Sequence, residues 1–262
     1  MDYKKITLDQ VGKVAVLKLN APEVLNAMSM DMVAEMSHAV SSTAKSDARC
    51  LLLTGEGRGF CAGANLQGRD TSEPVDEHQT AGSSLESQYH PLINKLRNLD
   101  IPMVTAVNGP AVGVGMSFAI MADIVVAAKS AYFMQAFARI GLVPDGGSTY
   151  YLPRMIGWSR AVELSLLAER LPAEQALSWG LINRVVDDAD LMDEALSIAS
   201  RLADGPRSLG MIRKLYWESP NNSFEEQLQL EASMQSSAGA TADYKEGVKA
   251  FLQKRDAKFT GE

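Results

Sequence analysis

The chain has 262 residues, 46% of them apolar and 22% charged, which is enough to bury a sizeable core and is unlike the composition of a disordered polypeptide. Its formal charge of −7 leaves no basic surplus for binding a nucleic-acid backbone. The two cysteines, Cys50 and Cys61, form no CxxC pair, which argues against a structural zinc site and a disulfide framework. Because the N-terminus lacks the apolar core of a signal peptide, we expect a cytoplasmic protein.

Strands and helices are predicted to alternate in the first half of the chain. Four apolar runs have the composition of buried strands, at residues 14–19, 50–54, 103–107 and 124–127. Three segments carry apolar residues at helical spacing, at residues 30–40, 85–99 and 115–121. This alternation predicts an α/β fold with a largely parallel sheet, and it places the site in loops that follow the carboxyl ends of strands.

The second half of the chain is predicted to be mainly helical. Helical patterns occur at residues 146–155, 160–168, 173–179, 191–202, 206–217, 224–234 and 243–254. One short strand at residues 184–186 interrupts them. In the first half, a polar stretch at residues 68–84 is a candidate lid.

Two glycine-rich loops, at residues 59–65 and 108–115, each follow an apolar strand. Backbone amides in such loops can point at a developing negative charge, so together they can form a two-donor oxyanion hole. The alternative is that the glycines serve only tight turns and close packing. The first loop lacks the Lys-Ser/Thr ending of a P-loop and the second lacks GxGxxG spacing, which excludes ATP and NAD sites of those types.

Asp145 lies between Pro144 and the pair Gly146 and Gly147, at the start of a predicted helix. Taken alone, this segment favours a helix N-cap over a catalytic role for the carboxylate.

The segments at residues 59–66, 108–123 and 141–152, in this order and spacing, resemble the crotonase superfamily, also called the enoyl-CoA hydratase/isomerase family. The similarity continues through residues 180–186 to the end of the chain. It implies a spiral of strand-strand-helix repeats over residues 1–200 that holds a CoA-thioester site. It also implies a helical C-terminal region, residues 201–262, for assembly as a homotrimer or dimer of trimers and for closing the pocket.

The resemblance also implies the roles of individual residues. The amides of Ala64 and Val114 would bind the thioester oxygen, although Val114 stands where the family usually has glycine. Coenzyme A, present as part of the substrate and not as a prosthetic group, would contact Ala62, Ala64, Asn65, Leu66, Gln67, Asn26 and Ala27. Lys254 and Lys258 are candidates for contacts with its phosphates or adenine. No metal is expected.

The reaction follows from what stands at the family's catalytic positions. The two glutamates of hydratases correspond to Ser117 and Phe137, so neither position offers a carboxylate to activate water. Asp145 stands where isomerase-type members carry their catalytic acid, and the pattern is closest to epoxyphenylacetyl-CoA and Δ3,Δ2-enoyl-CoA isomerases. The resemblance therefore reverses the preference for an N-cap.

The sequence thus predicts an isomerase of fatty acid or phenylacetate catabolism that moves protons through Asp145. Ser117, Phe137 and Met116 are predicted to line a pocket that excludes water, and its desolvation should raise the pKa of Asp145 while a helix N-terminus opposes the rise. His90 and Tyr89 are further polar candidates. The alternatives are a hydratase with atypical residues, a dehalogenase with Asp145 as nucleophile, and a non-catalytic binder of CoA thioesters.

Overall fold

The structure is a computed structural model that describes residues 2–66 and 81–262. The described residues form nine strands: β1 (Ile6–Val11), β2 (Val14–Leu19), β3 (Cys50–Gly55), β4 (Met103–Val107), β5 (Ala111–Val112), β6 (Ile124–Ala128), β7 (Tyr132–Met134), β8 (Leu171–Pro172) and β9 (Arg184–Val186). They form eleven α-helices: α1 (Met30–Thr43), α2 (Ala81–Ser84), α3 (His90–Arg97), α4 (Val114–Ile120), α5 (Ser148–Ile156), α6 (Trp158–Leu167), α7 (Ala173–Ser178), α8 (Leu191–Ala203), α9 (Ser208–Glu218), α10 (Phe224–Gly239) and α11 (Ala242–Gln253).

The main sheet has six strands in the order β1-β2-β3-β4-β6-β9. All neighbours from β2 to β9 pair in parallel, and β1 pairs antiparallel with β2 at one edge. Strands β3 and β4 are buried along their whole length, as expected for parallel strands covered on both faces. Helix α8 packs on β3 and β4, and α1 packs on β1 and β2.

A second, smaller sheet contains β5, β7 and β8. Isolated parallel bridges from Cys61 to Ala111 and from Met28 to Ala64 continue its pairing toward earlier parts of the chain. Each turn of chain therefore supplies one strand to the main sheet, one short strand or bridge to the second layer, and then a helix, as in β4, β5 and α4. The α/β fold, its strand-strand-helix spiral and its helical C-terminal region are confirmed.

The structure adds strands that the sequence pattern did not reveal. Strand β1 is an edge strand with a half-exposed, polar pattern, and β5, β7 and β8 contain only two or three residues, too few to show a period. The helix predicted at residues 85–99 is composite, because the π-helical turn Leu85–Tyr89 connects α2 to α3. The candidate lid at residues 68–84 lies mostly outside the described residues.

Arg213 connects the C-terminal helices to the spiral. It lies on α9 with its side chain 3% exposed, and its guanidinium donates to the carboxylate of Asp123 at 2.8 Å. Three backbone carbonyls near the end of α3, those of Leu96, Arg97 and Leu99, accept its remaining donors at 2.6–2.9 Å. A planar guanidinium can satisfy all these acceptors at once, so this contact fixes α9 on the core.

None of the helices described is both long and apolar enough to cross a membrane. The cytoplasmic location stays a prediction, and so does the division at residue 200.

Candidate active site

Two loop segments run side by side where β3 and β4 end. The amide of Cys61 donates to the carbonyl of Pro110 at 3.0 Å, and the amide of Val112 donates to the carbonyl of Cys61 at 2.9 Å. Gly63 has φ +101°, and a Cβ there would lie 3.1 Å from the carbonyl oxygen of Val112, so this close approach requires glycine. The bridge pairs Cys61 with Ala111, and Ala64 and Val114 each follow three residues later in the two segments.

The amide of Ala64 points away from the neighbouring segment at Met28. The amide of Met28 donates to the carbonyl of Gly63 at 2.8 Å, and the amide of Asn65 donates to the carbonyl of Met28 at 2.9 Å. These bonds use the groups on either side of Ala64. Because successive residues of an extended chain direct their amides to opposite sides, the amide of Ala64 faces away from Met28, and Ala64 itself lines a cavity.

The amide of Val114 is the first of helix α4. Gly113 precedes it as N-cap with φ 55°, and its own amide donates to the carbonyl of Met134 at 2.8 Å. The first amides of an α-helix have no acceptor within the helix, so that of Val114 is available to a ligand. Val114 is buried and lines the same cavity as Ala64.

This cavity has a volume of about 440 Å³. Its described lining is mostly apolar and comprises Ala62, Gly63, Ala64, Leu66, Gly82, Ser84, Leu85, Tyr89, Val112, Gly113, Val114, Ala136, Phe137, Arg139, Ile140, Leu142, Val143 and Asp145. Among these residues Asp145 is the only acid and Arg139 is the only base. The cavity therefore brings together three of the predicted site residues, Ala64, Val114 and Asp145.

Asp145 is not a helix cap. The N-cap of α5 is Gly147, with φ 79°, and no side chain makes a capping bond there, so the interpretation that the segment alone favoured is wrong. The backbone carbonyl of Asp145 instead accepts hydrogen bonds from the amide and hydroxyl of Ser148, at 3.1 and 2.9 Å, and from the hydroxyl of Ser117, at 3.0 Å. These bonds hold the turn and leave the carboxylate to the cavity.

Burial raises the pKa of Asp145 from 3.8 to about 6, and the nearby His90 opposes this rise. Oδ1 of Asp145 is buried and has no hydrogen-bond partner among the described residues. A carboxylate without donors loses hydration that nothing replaces, which explains the direction of the shift. The result is a group that accepts protons near neutral pH.

The three predicted pocket residues occupy different places. Phe137 is buried and lines the cavity. Ser117 is buried and contacts the Asp145 turn through its hydroxyl. Met116 does not line the cavity; its sulfur accepts a hydrogen bond from the side chain of Gln135 at 3.3 Å in the core.

Of the residues predicted to contact coenzyme A, some line this cavity and others do not. Ala62, Ala64 and Leu66 line the cavity, whereas Asn65, Asn26 and Ala27 do not. Gln67 lies outside the described residues.

Asn26 has a structural role that the sequence did not indicate. Its fully buried side chain accepts from the amide of Ala21 at 2.8 Å and donates to the carbonyls of Glu56 and Gly59 at 2.9 and 2.7 Å. It thereby holds the loop that leads to the oxyanion segment.

Lys254 and Lys258 are exposed and do not line the cavity of the single chain. Three further residues line the cavity that were not predicted to do so. Arg139, Leu142 and Val143 belong to the same continuous segment as Asp145, and this proximity was the available signal.

Comparison with known proteins identifies the family. Residues 9–262 match the profile of the family described as enoyl-CoA hydratase/isomerase. The chain belongs to this family. It is 46% identical over 250 residues to "1,2-epoxyphenylacetyl-CoA isomerase" of Escherichia coli, covering 95% of each chain. It is 40% identical over 262 residues to "Probable enoyl-CoA hydratase" of Rhodobacter capsulatus, covering 100% of each.

A solved structure agrees with this assignment. The crystal structure of an enoyl-CoA hydratase from Bacillus anthracis superposes with a TM-score of 0.92 at 28% identity, covering 99% of this chain and 100% of the other. Both isomerases and hydratases occur among the relatives of this enoyl-CoA hydratase/isomerase chain, so the reaction has to be argued from the site.

The raised pKa of Asp145 should make the free energy of unfolding depend on pH. The pKa of Asp145 is 3.8 in the unfolded chain and about 6 in the folded protein. Between these two pH values the folded state therefore retains a proton that the unfolded state has released. The free energy of unfolding of the wild type, relative to that of Asp145→Asn, should therefore fall as the pH rises from about 4 to about 6, and then level off. Urea unfolding at a series of pH values measures this difference, and a difference that is independent of pH would contradict the assignment.

Proposed function

We propose that the protein is an acyl-CoA isomerase that shifts a double bond, or rearranges a ring, by proton transfer through Asp145. The observation that carries this proposal is that Asp145 is the only acid among the described residues of the cavity that Ala64 and Val114 also line. The 46% identity to a chain named "1,2-epoxyphenylacetyl-CoA isomerase" supports it.

In the proposed mechanism the thioester oxygen accepts hydrogen bonds from the amides of Ala64 and Val114. Asp145 removes a proton from the α or γ carbon, and the electron pair of the broken C–H bond moves into the thioester to form an enolate. The protonated Asp145 then returns the proton to the other carbon. The substrate is converted to its isomer, no other reactant is consumed, and the carboxylate is regenerated.

The magnitudes are consistent with this arrangement. Each oxyanion donor contributes about 2.7–4 kcal/mol of transition-state stabilisation in comparable enzymes. A positioned general base typically increases the reaction rate by a factor of roughly 10²–10⁴. A pKa of about 6 keeps Asp145 ionised at neutral pH while making it a stronger base than an ordinary aspartate.

The residues at two positions, Phe137 and Ser117, favour isomerisation over hydration. Phe137 presents a ring to the cavity where a hydratase would need a glutamate, and the hydroxyl of Ser117 is used in a bond to the backbone of Asp145. A lining that is mainly apolar disfavours an ordered nucleophilic water. Hydration remains the second candidate because one relative carries the name "Probable enoyl-CoA hydratase".

The isomerase proposal predicts that Asp145→Asn loses activity because asparagine cannot accept the proton. We expect conversion of 3-enoyl-CoA to 2-enoyl-CoA, and exchange of its α and γ protons with deuterated water, to fall by roughly 10²–10⁴-fold. The exposed Asp9→Asn is the control for removing a negative charge. Equal rates in Asp145→Asn and wild type would contradict the proposal, whereas formation of 3-hydroxyacyl-CoA from crotonyl-CoA would favour hydration.

We also propose that the chain assembles as a homotrimer or a dimer of trimers. The C-terminal helices carry large apolar side chains that are exposed in the single chain, including Phe224, Tyr244, Phe251 and Leu252. Surfaces of this kind are typical of subunit interfaces. Sedimentation velocity should therefore give three or six times the 28.3 kDa mass of the chain, and a monomer at micromolar concentration would contradict this.

A further inference from the structure

We propose that Ser117 is a positioning residue that fixes the turn carrying Asp145 to helix α4, the same helix that provides the Val114 amide. This inference rests on the proposed function, because it concerns how the acid-base group is placed relative to the oxyanion donor. Ser117 does not line the cavity, so it acts through Asp145 and not on the substrate.

The hydroxyl of Ser117 provides the link between two elements. The side chain is 1% exposed, and its Oγ–H donates to the backbone carbonyl of Asp145 at 3.0 Å. The same carbonyl accepts from the amide and hydroxyl of Ser148, but Ser148 begins α5 only three residues along the chain. Of these three donors, only the Ser117 hydroxyl comes from an element distant in the sequence, helix α4.

The packing at Gly146 shows how closely the turn lies against α4. A Cβ at Gly146 would lie 2.6 Å from Cβ of Ser117 and 3.3 Å from Cγ2 of Val114, so the backbone of the turn rests directly on both side chains. Val114 and Ser117 are three residues apart and share one face of the helix. The positions of the carboxylate and of one oxyanion donor are therefore both set by a single turn of α4.

This placement matters because proton transfer depends steeply on distance. A shift of about 1 Å in a reacting group can reduce the rate by roughly 10²-fold. Ser117→Ala removes the link without leaving a buried acceptor empty, since the Asp145 carbonyl retains both donors of Ser148. The variant should fold, and its carboxylate should lose only its fixed position.

Three variants distinguish a role of Ser117 in positioning the Asp145 turn from a nonspecific loss of structure. Ser117→Ala removes the interhelical donor, and Ser117→Cys keeps a weaker donor of similar size. Ser148→Ala is the matched control, because it removes a hydroxyl that donates to the same carbonyl while the Ser148 amide and Ser117 maintain their bonds. The measurements are kcat and KM for 3-enoyl-CoA, and hydrogen–deuterium exchange of the backbone amides at residues 145–151.

We expect Ser117→Ala to lower kcat by about 10–100-fold with KM changed less than about threefold, because substrate binding does not involve Ser117. Ser117→Cys should lie between alanine and wild type, and Ser148→Ala should reduce kcat by less than about threefold. A kcat for Ser117→Ala within twofold of wild type, a cysteine variant below alanine, or equal losses in Ser117→Ala and Ser148→Ala would each overturn the inference.

The exchange measurement separates this inference from the proposed function. If Asp145→Asn is as active as wild type, the proposed function fails, and amide exchange then decides the role of Ser117 alone. Loss of the link should accelerate exchange in the turn by about tenfold in Ser117→Ala and not in Ser148→Ala. Unchanged exchange in Ser117→Ala would overturn the positioning role whatever the reaction is.

Discussion

The site depends on the parallel bridge between Cys61 and Ala111, which brings the two glycine-rich segments side by side. The segments lie so close that a Cβ at Gly115 would come within 2.3 Å of the carbonyl oxygen of Cys61, and one at Gly63 within 3.1 Å of that of Val112. The oxyanion donors proposed above, the amides of Ala64 and Val114, belong to the backbone, so their direction depends on the path of the chain and not on side-chain identity. Such a donor is compatible with valine at position 114, where the family resemblance implies glycine.

Asp145 has the opposite requirement in the proposed mechanism, because its side chain and not its backbone would act on the substrate. Burial raises its pKa to about 6, and Oδ1 has no partner among the described residues. The backbone around it is, by contrast, well bonded, with three donors on one carbonyl. The fold thus places a poorly solvated carboxylate on a well-bonded turn, and a loss of stability of this kind is expected where a side chain is kept for function.

Much of this could be predicted from the sequence, and the exceptions have physical reasons. The long apolar strands and the seven helices of the second half of the chain lie where periodicity placed them, with bounds shifted by a few residues. Short strands such as β7 escaped because their pairing, and not their composition, defines them. The local pattern at Asp145 predicted a cap, yet Gly146 and Gly147, both with positive φ, displace the helix start beyond it. The assignment of Asn26 to coenzyme A came from the family resemblance, and its structural role escaped because a single sequence does not show which backbone groups a buried amide will bind.

The infrared frequency of the carbonyl in a bound, isotopically labelled butyryl-CoA tests the paired-amide oxyanion hole most directly, because hydrogen bonds to the oxygen weaken the C=O bond. Val114→Pro removes one donor at the first position of a helix, where proline is tolerated. We predict that binding to wild type lowers the carbonyl frequency relative to water, and that saturated Val114→Pro shows a smaller decrease. No decrease in wild type, or an equal decrease in both proteins, would contradict the account.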